Sequence, residues 1–341
     1  MTTTNKQWLL KLRPVGLIGP EHFELVESPC PQPATGEVLV KVLMIGFDPA
    51  ARGWVIDEPS YMPPVALGEP MRASGVGQVV ASGNDELPQG TLVQGLLGWQ
   101  EYALYGQSDA VQLRPIPAGV PPSMALSIFG GTSLTAYFGL LDVGKPRAGD
   151  TVLVSGAAGS TGSVVAQIAR IKGCRVIGIA GGAEKCSWLK DACKLDHVID
   201  YKSENIDQRL RDLAPDGVNV FFDNVGGETL ETAIAHMAQH GRIVLCGAIS
   251  SYNDAEPSPG PNNLMRLVQF RIRMEGFVVL DYLDRADECF ANLGQWVMGG
   301  EIAWREDIQE GFENIPTTLQ RLFDGRNQGK QLLKLADPEP L

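Results

Sequence analysis

Residues 154–185 read VSGAAGSTGSVVAQIARIKGCRVIGIAGGAEK, and this stretch decides the fold. An apolar run ends at Ser155 and a glycine-rich turn, GAAGSTG, follows. Val164, Ile168 and Ile171 then recur at helical spacing, and a second apolar run closes on Gly181 and Gly182. This order of strand, turn, helix and strand is one βαβ unit. Glycines in such a turn let the backbone approach a pyrophosphate, and the first N–H groups of the helix face it. A close-packed structural turn is the competing reading; the strand on either side favours dinucleotide binding.

An NAD site usually places an acid at the end of the second strand, where it accepts from the ribose 2′-hydroxyl. Here Gly181, Gly182 and Ala183 occupy that place, and Glu184 is followed at once by Lys185. A 2′-phosphate is tolerated there, and Lys185 can pair with it as a point charge. NADP is therefore expected over NAD, with a solvated helix-start lysine as the plain alternative for Lys185.

Outward from this unit, residues 123–300 alternate helical patterns with the runs TVLVSG, CRVIGIA, HVIDY, NVFFDNV, RIVLCGAI and RMEGFVVL. Helix-length segments between strands imply a parallel sheet covered on both faces, an α/β doubly wound domain. Residues 1–122 are rich in Gly and Pro, with short runs such as EVLVKVLMIGF and GVGQVVASG, and read as a compact β domain. The tail, 301–341, holds a helix and a final strand able to return to either domain. The acidic runs DYLDRADE and WREDIQE read as solvated helix faces.

The 341 residues suit two domains, and 44% apolar with 20% charged residues is a globular composition. A net charge of -12 argues against nucleic-acid binding. No apolar stretch is long enough to span a bilayer, so no membrane partner is expected and the cytoplasm is the expected compartment. The six cysteines form no C-x-x-C pair, which argues against a disulfide framework or zinc lobe.

Catalytic zinc needs Cys, His and acid ligands around an open position. Where a zinc alcohol dehydrogenase carries Gly-His-Glu, this chain has Gly68, Glu69 and Pro70, and no metal is expected. His236 and His240 are spaced four apart on a presumed helix that Gly241 would stop, a poor ligand pair. No tyrosine lies four residues before a lysine, and no G-x-S-x-G elbow is present, so short-chain reductase and serine hydrolase chemistry are not indicated.

The ordered motifs SLTAYFGL (133–140), SGAAGSTGSVVAQIARIKGC, GGAEKC, VIDYK, FDNVGGE, GRIVLCGAISSYN, GFVV, EGFENIP and GRNQGK resemble the zinc-independent medium-chain reductases. Within them the chain is similar to the leukotriene-dehydrogenase, prostaglandin-reductase and curcumin-reductase branch, over nearly its whole length. The resemblance implies a GroES-like β-rich substrate domain (1–122 plus 301–341) with an inserted Rossmann domain (123–300). It also implies reduction by NADPH of the carbon–carbon double bond of an enone or alkenal, and a homodimer.

Carried over by position, the resemblance puts Ala158, Gly159, Ser160, Thr161 and Gly162 at the pyrophosphate turn, and Gly181, Lys185 and Tyr201 at the 2′-phosphate. Asn224, Cys246, Gly247, Ala248, Ile249, Ser250, Ser251, Tyr252 and Asn327 fall at the nicotinamide half. Arg52, Tyr61, Phe277, Val278 and Val279 fall at the substrate pocket, and Tyr61 and Tyr252 are the candidate catalytic hydroxyls. Each has a plainer reading: Tyr201 as a strand-end cap, 277–279 as core strand, Asn224 and Asn327 as turn residues beside glycines. Tyr61 reads equally as a hydroxyl donor to an enolate oxygen and as an aromatic lid.

The chain departs from the branch at FDPAARG, where Ala50 and Ala51 replace a frequent Tyr-Met, and at QGLLGWQ, where Leu96 and Leu97 replace an aromatic pair. A wider cleft is expected, so prostaglandin-like substrates do not follow. A quinone reductase of the same superfamily and an NADPH-binding regulatory protein without turnover are the competing readings.

Overall fold

The structure is a computed structural model that describes residues 4–106, 109, 112–256 and 258–339. The chain divides into two compact units, 1–127 with 306–341, and 128–305.

The first unit opens with an antiparallel pair, β1 (Thr4–Leu10) and β2 (Phe23–Pro29). Its main sheet contains β3 (Val38–Gly46), β4 (Ser74–Ser82), β5 (Leu92–Gly95), β6 (Tyr102–Tyr105) and β7 (Arg114–Pro115). The runs EVLVKVLMIGF and GVGQVVASG supply β3 and β4, which pair antiparallel through two irregularities. Val40, Val42, Ile45, Val93, Leu97 and Trp99 form the centre of the core, with Phe23 tilted 4.7 Å from Trp99. The short helix α1 (Pro122–Leu126) ends this part.

The second unit begins with α2 (Gly131–Phe138) and builds a six-stranded parallel sheet. Its elements are β8 (Thr151–Val154), α3 (Ser160–Ile171), β9 (Arg175–Ala180), α4 (Ala183–Asp191), β10 (His197–Asp200), α5 (Ile206–Leu213), β11 (Val218–Asp223), α6 (Gly227–Ala235), β12 (Met237–Leu245), α7 (Met265–Phe270), β13 (Arg273–Gly276) and α8 (Ala286–Met298). The strand order β10-β9-β8-β11-β12-β13 reverses direction at β8, as in a Rossmann sheet. Val152, Leu153, Val154, Phe221 and Phe222 are wholly buried, which is why these strands read as continuous rather than alternating apolar runs.

After this sheet, β14 (Glu306–Glu310), α9 (Ile315–Phe323) and β15 (Lys330–Lys334) return the chain to the first unit. β15 pairs antiparallel with β3 and parallel with β14.

Two expectations are corrected. WREDIQE is not a helix: its acidic part is strand β14. Although burial pushes the Asp307 carboxyl up, hydrogen bonds from Arg321, Gln309 and the Gln328 N–H outweigh it and hold it low. His236 and His240 do not share a helix either. His236 caps α6 and meets Asp207 at 2.7 Å, whereas His240 sits in β12 at φ 62°. The β11–β12 register jumps from Val218↔Met237 to Val220↔Arg242, and the extra residues bulge, placing His240 in the left-handed region that His tolerates better than most residues.

Candidate functional site

The glycine turn lies at the carboxyl end of β8, beside the point where the sheet reverses. Gly156 adopts φ 58°, the Gly159 N–H returns to its carbonyl at 2.9 Å, and α3 starts at Ser160. A Cβ on Gly162 would lie 2.3 Å from the Gly156 oxygen and 2.9 Å from the Ala157 Cα. The first turn of α3 is therefore pressed onto the backbone of the turn, at a spacing only glycine permits. The opening N–H groups of a helix have no intrahelical acceptor, so those at 160–162 form an anion cradle. Thr132 Oγ1 lies 2.8 Å from Ser160 Oγ beside it.

At the end of β9 the acid nearby is already engaged through one of its oxygens. Asp200 Oδ1 accepts the Gly182 and Lys202 N–H groups at 2.8 and 3.0 Å, and the Gly182 bond foremost holds its carboxyl low. Glu184 is turned to Arg305 at 2.7 Å. Tyr201 is 54% exposed, and its ring covers Gly181 so closely that a Cβ there would meet Cε1, Cζ and Oη at 2.7–2.8 Å. Lys185 stands half-buried in the first turn of α4. A helix start, a lysine, an exposed tyrosine and no uncommitted strand-end carboxylate suit a phosphate better than a 2′-hydroxyl.

Beyond β11, two loops are laced together. Buried Asp223 accepts from Ser155 Oγ at 2.7 Å and from the Val225 and Gly226 N–H groups, yet burial keeps its carboxyl raised. Asn224 donates Nδ2 to the Ser155 carbonyl at 2.7 Å. The Cys246 and Gly247 N–H groups reach the Asp223 carbonyl, Ile249 reaches Asn224, and Ser250 reaches Val225. Tyr252 Oη takes the Ala248 N–H at 3.1 Å, and Ser251 closes on the Ala248 carbonyl. The Cys246 thiol is pushed up to about 12 by burial, with Asp223 adding to the shift. The structure thus joins Asn224 to the whole 246–252 segment.

Phe277 packs edge-on to Phe222 and Tyr282, with Val278 and Val279 leaving β13 half-buried, so the segment is not the core strand of the plainer reading. Asn327 belongs to the first unit, where Nδ2 donates to the Gly329 carbonyl. Arg52, expected at the substrate pocket, is turned inward at 4% exposure: Nε and Nη2 hold the Pro14 and Gly16 carbonyls, and burial lowers its pKa. Its only signal in the sequence was the motif, which fixes position but not side-chain direction.

Tyr61 lies in the first unit, 50% exposed, with Oη accepting from Trp54 Nε1 at 2.9 Å. A cavity of about 700 Å³ is lined by its neighbours Met62 and Pro63, by Arg72, and by Leu96 and Leu97. Among the described residues, no group of three or more His, Cys, Asp or Glu is placed to hold a metal ion.

Residues 6–114 match a family described as the N-terminal domain of oxidoreductase, and 160–297 match one described as zinc-binding dehydrogenase. The NADPH-dependent curcumin reductase of Escherichia coli is 39% identical, over 97% of both chains. The NADP-dependent 2-alkenal reductase of Nicotiana tabacum is 36% identical, over 98% of both. The crystal structure of CurA from Vibrio vulnificus in complex with NADPH superposes with a TM-score of 0.91 at 38% identity, covering 98% of this chain and 100% of that one.

Proposed function

The chain belongs to the zinc-independent medium-chain dehydrogenases/reductases, and from that premise we propose that it reduces the carbon–carbon double bond of α,β-unsaturated ketones and aldehydes with NADPH. The observation that supports the cofactor is the glycine turn, where Gly162 alone lets the start of α3 press onto the Gly156 carbonyl and keep its first N–H groups at the turn, together with the engaged Asp200 carboxylate. Ala158, Gly159, Ser160, Thr161 and Gly162 hold the pyrophosphate, Lys185 and Tyr201 over Gly181 the 2′-phosphate, and Asn224 with 246–252 the nicotinamide half.

Bound NADPH supplies the hydride that adds to the β-carbon of the enone. The displaced π pair leaves negative charge on the carbonyl oxygen, and Tyr61 donates its O–H to that oxygen. Tyr252 stiffens the loop that orients the nicotinamide side. A proton from water or tyrosine then completes the saturated product at the α-carbon. The test is NADPH oxidation by the purified protein with a medium-chain alkenone, beside NADH and chelator controls. Rapid chelator-insensitive oxidation to the saturated ketone is expected; oxidation with quinones alone would defeat the enone reading.

Lys185→Ala is expected to raise the KM for NADPH about tenfold while leaving NADH little changed, since a lost charge-assisted contact costs about 1.5 kcal/mol or more. Equal preference in variant and parent would remove Lys185 from the phosphate site.

Six unpaired cysteines suit a reducing compartment, and we place the protein in the cytoplasm; recovery from a membrane or secreted fraction would contradict this. A homodimer is proposed through the edge strand β13, beside which Leu264, Met265 and Val268 are exposed. Sedimentation equilibrium should give twice 36.7 kDa, and Val268→Arg should lower it.

A further inference from the structure

Residues 56–64 form a loop whose two ends are fastened together. The Val65 N–H donates to the Trp54 carbonyl at 2.8 Å, and Arg13 Nη1 donates to the Val55 and Val65 carbonyls at 2.9 and 3.2 Å. Closed ends make the loop a compact unit rather than a loose excursion. Within it, the side chain of Tyr61 is held from one side only.

That hold fixes the direction of a proton. An indole N–H is a donor and never an acceptor, whereas a phenol can be either. The 2.9 Å contact between Trp54 Nε1 and Tyr61 Oη therefore commits the tyrosine oxygen to accepting. Its own O–H points elsewhere, and among the described residues it has no acceptor. A hydroxyl that accepts one hydrogen bond is also a stronger donor of the next.

Arg72 secures the indole. Its guanidinium lies 5.7 Å from the Trp54 ring centroid, and Nη2 donates to the Pro63 carbonyl at 2.9 Å, two residues beyond Tyr61. Nη1 is buried without a partner, so the cation is partly desolvated, and a cation over an aromatic face binds more strongly in that state. The charge also draws density from the indole and sharpens its N–H as a donor.

We propose that Trp54 and Arg72 are positioning residues that hold Tyr61 as an outward hydrogen-bond donor to the enone oxygen. The proposal rests on the reading above in which Tyr61 meets the substrate. It adds that the donor state of Tyr61 is imposed by the indole N–H and braced by the arginine.

The test compares Trp54→Phe, Arg72→Met, Tyr61→Phe and the Trp54→Phe/Tyr61→Phe double variant in the full-length protein. Rates with an alkenone are read at saturating NADPH, together with NADPH affinity and amide hydrogen exchange across 56–64. Trp54→Phe keeps the ring and removes the N–H; kcat is expected to fall about tenfold with KM within about threefold and NADPH affinity unchanged. In the Tyr61→Phe background the same change should cost nothing further, since there is no longer a hydroxyl to orient. Amide exchange around Tyr61 should quicken in Trp54→Phe and Arg72→Met, and Arg72→Met should lower kcat about threefold.

An unchanged kcat in both Trp54→Phe and Arg72→Met, with Tyr61→Phe impaired, would overturn the positioning role while leaving Tyr61 as the donor. Multiplicative losses in the double variant would also overturn it, because Trp54 would then act by another route. An unimpaired Tyr61→Phe would remove the reading on which the proposal stands.

Discussion

Gly162→Ala is expected to weaken NADPH binding about a hundredfold while leaving a folded protein. The added Cβ would sit 2.3 Å from the Gly156 oxygen and 2.9 Å from the Ala157 Cα, and both of those atoms are backbone. A flexible side chain could swing aside; a turn with Gly156 already at φ 58° cannot without moving the start of α3. The displaced N–H groups are those proposed to hold the pyrophosphate, and each charge-assisted bond lost costs about 1.5–3 kcal/mol, so two account for a hundredfold or more. Overpacking itself destabilises by about 1–3 kcal/mol, which a domain of this size survives. Fluorescence titration with NADPH, paired with a thermal melt, separates the two effects. An affinity within threefold of the parent would mean that the turn does not hold the pyrophosphate.

That position was legible in the sequence because its cause is local. Strand, turn, glycine and helix are adjacent in the chain, and the spacing itself carries the chemistry. The six parallel strands were legible for a related reason: a strand buried on both faces must be apolar at every position, and runs such as NVFFDNV are. WREDIQE failed as a helix because its decisive partner is distant. Glu306–Glu310 pairs with Lys330–Lys334, and no periodicity within seven residues can report a strand across the sheet. His240 was misplaced because a bulge leaves no compositional trace. Arg52 shows the same limit at the level of one side chain: its inward turn depends on the carbonyls of Pro14 and Gly16, far back in the sequence.

Among the candidate residues, the local geometry of those set by turns was readable and the partners of those set by tertiary contacts were not. Asp200 illustrates the difference. VIDYK singles out Tyr201, and only the structure shows that the acid before it, Asp200, is engaged by Gly182 and Lys202. The preference for a phosphate thus follows from two facts together: Gly181, Gly182 and Ala183 leave the strand end without a side-chain acceptor while Glu184 is drawn to Arg305, and Oδ1 of the neighbouring Asp200 is already taken by two N–H groups.

Tyr61→Phe is expected to lower kcat for enone reduction about a hundredfold with little change in KM. The substitution keeps the ring, its area and its packing, and removes one O–H, so it separates the two readings of this residue. As a lid, Tyr61 acts through its apolar face, and phenylalanine should serve as well. As a donor, it acts on charge that develops on the carbonyl oxygen after hydride addition, so its loss raises the barrier without weakening the ground state. Removing one such donor costs about 10²–10³ in kcat. The structure favours the donor: Trp54 supplies a hydrogen bond that the tyrosine oxygen accepts, and the ring is half-exposed rather than packed. Single-turnover rates at saturating NADPH give the chemical step free of product release, to be set beside kcat, and Tyr61→Ala completes the comparison. Full activity in Tyr61→Phe with a raised KM in Tyr61→Ala would make the residue a lid and move the oxygen's donor elsewhere.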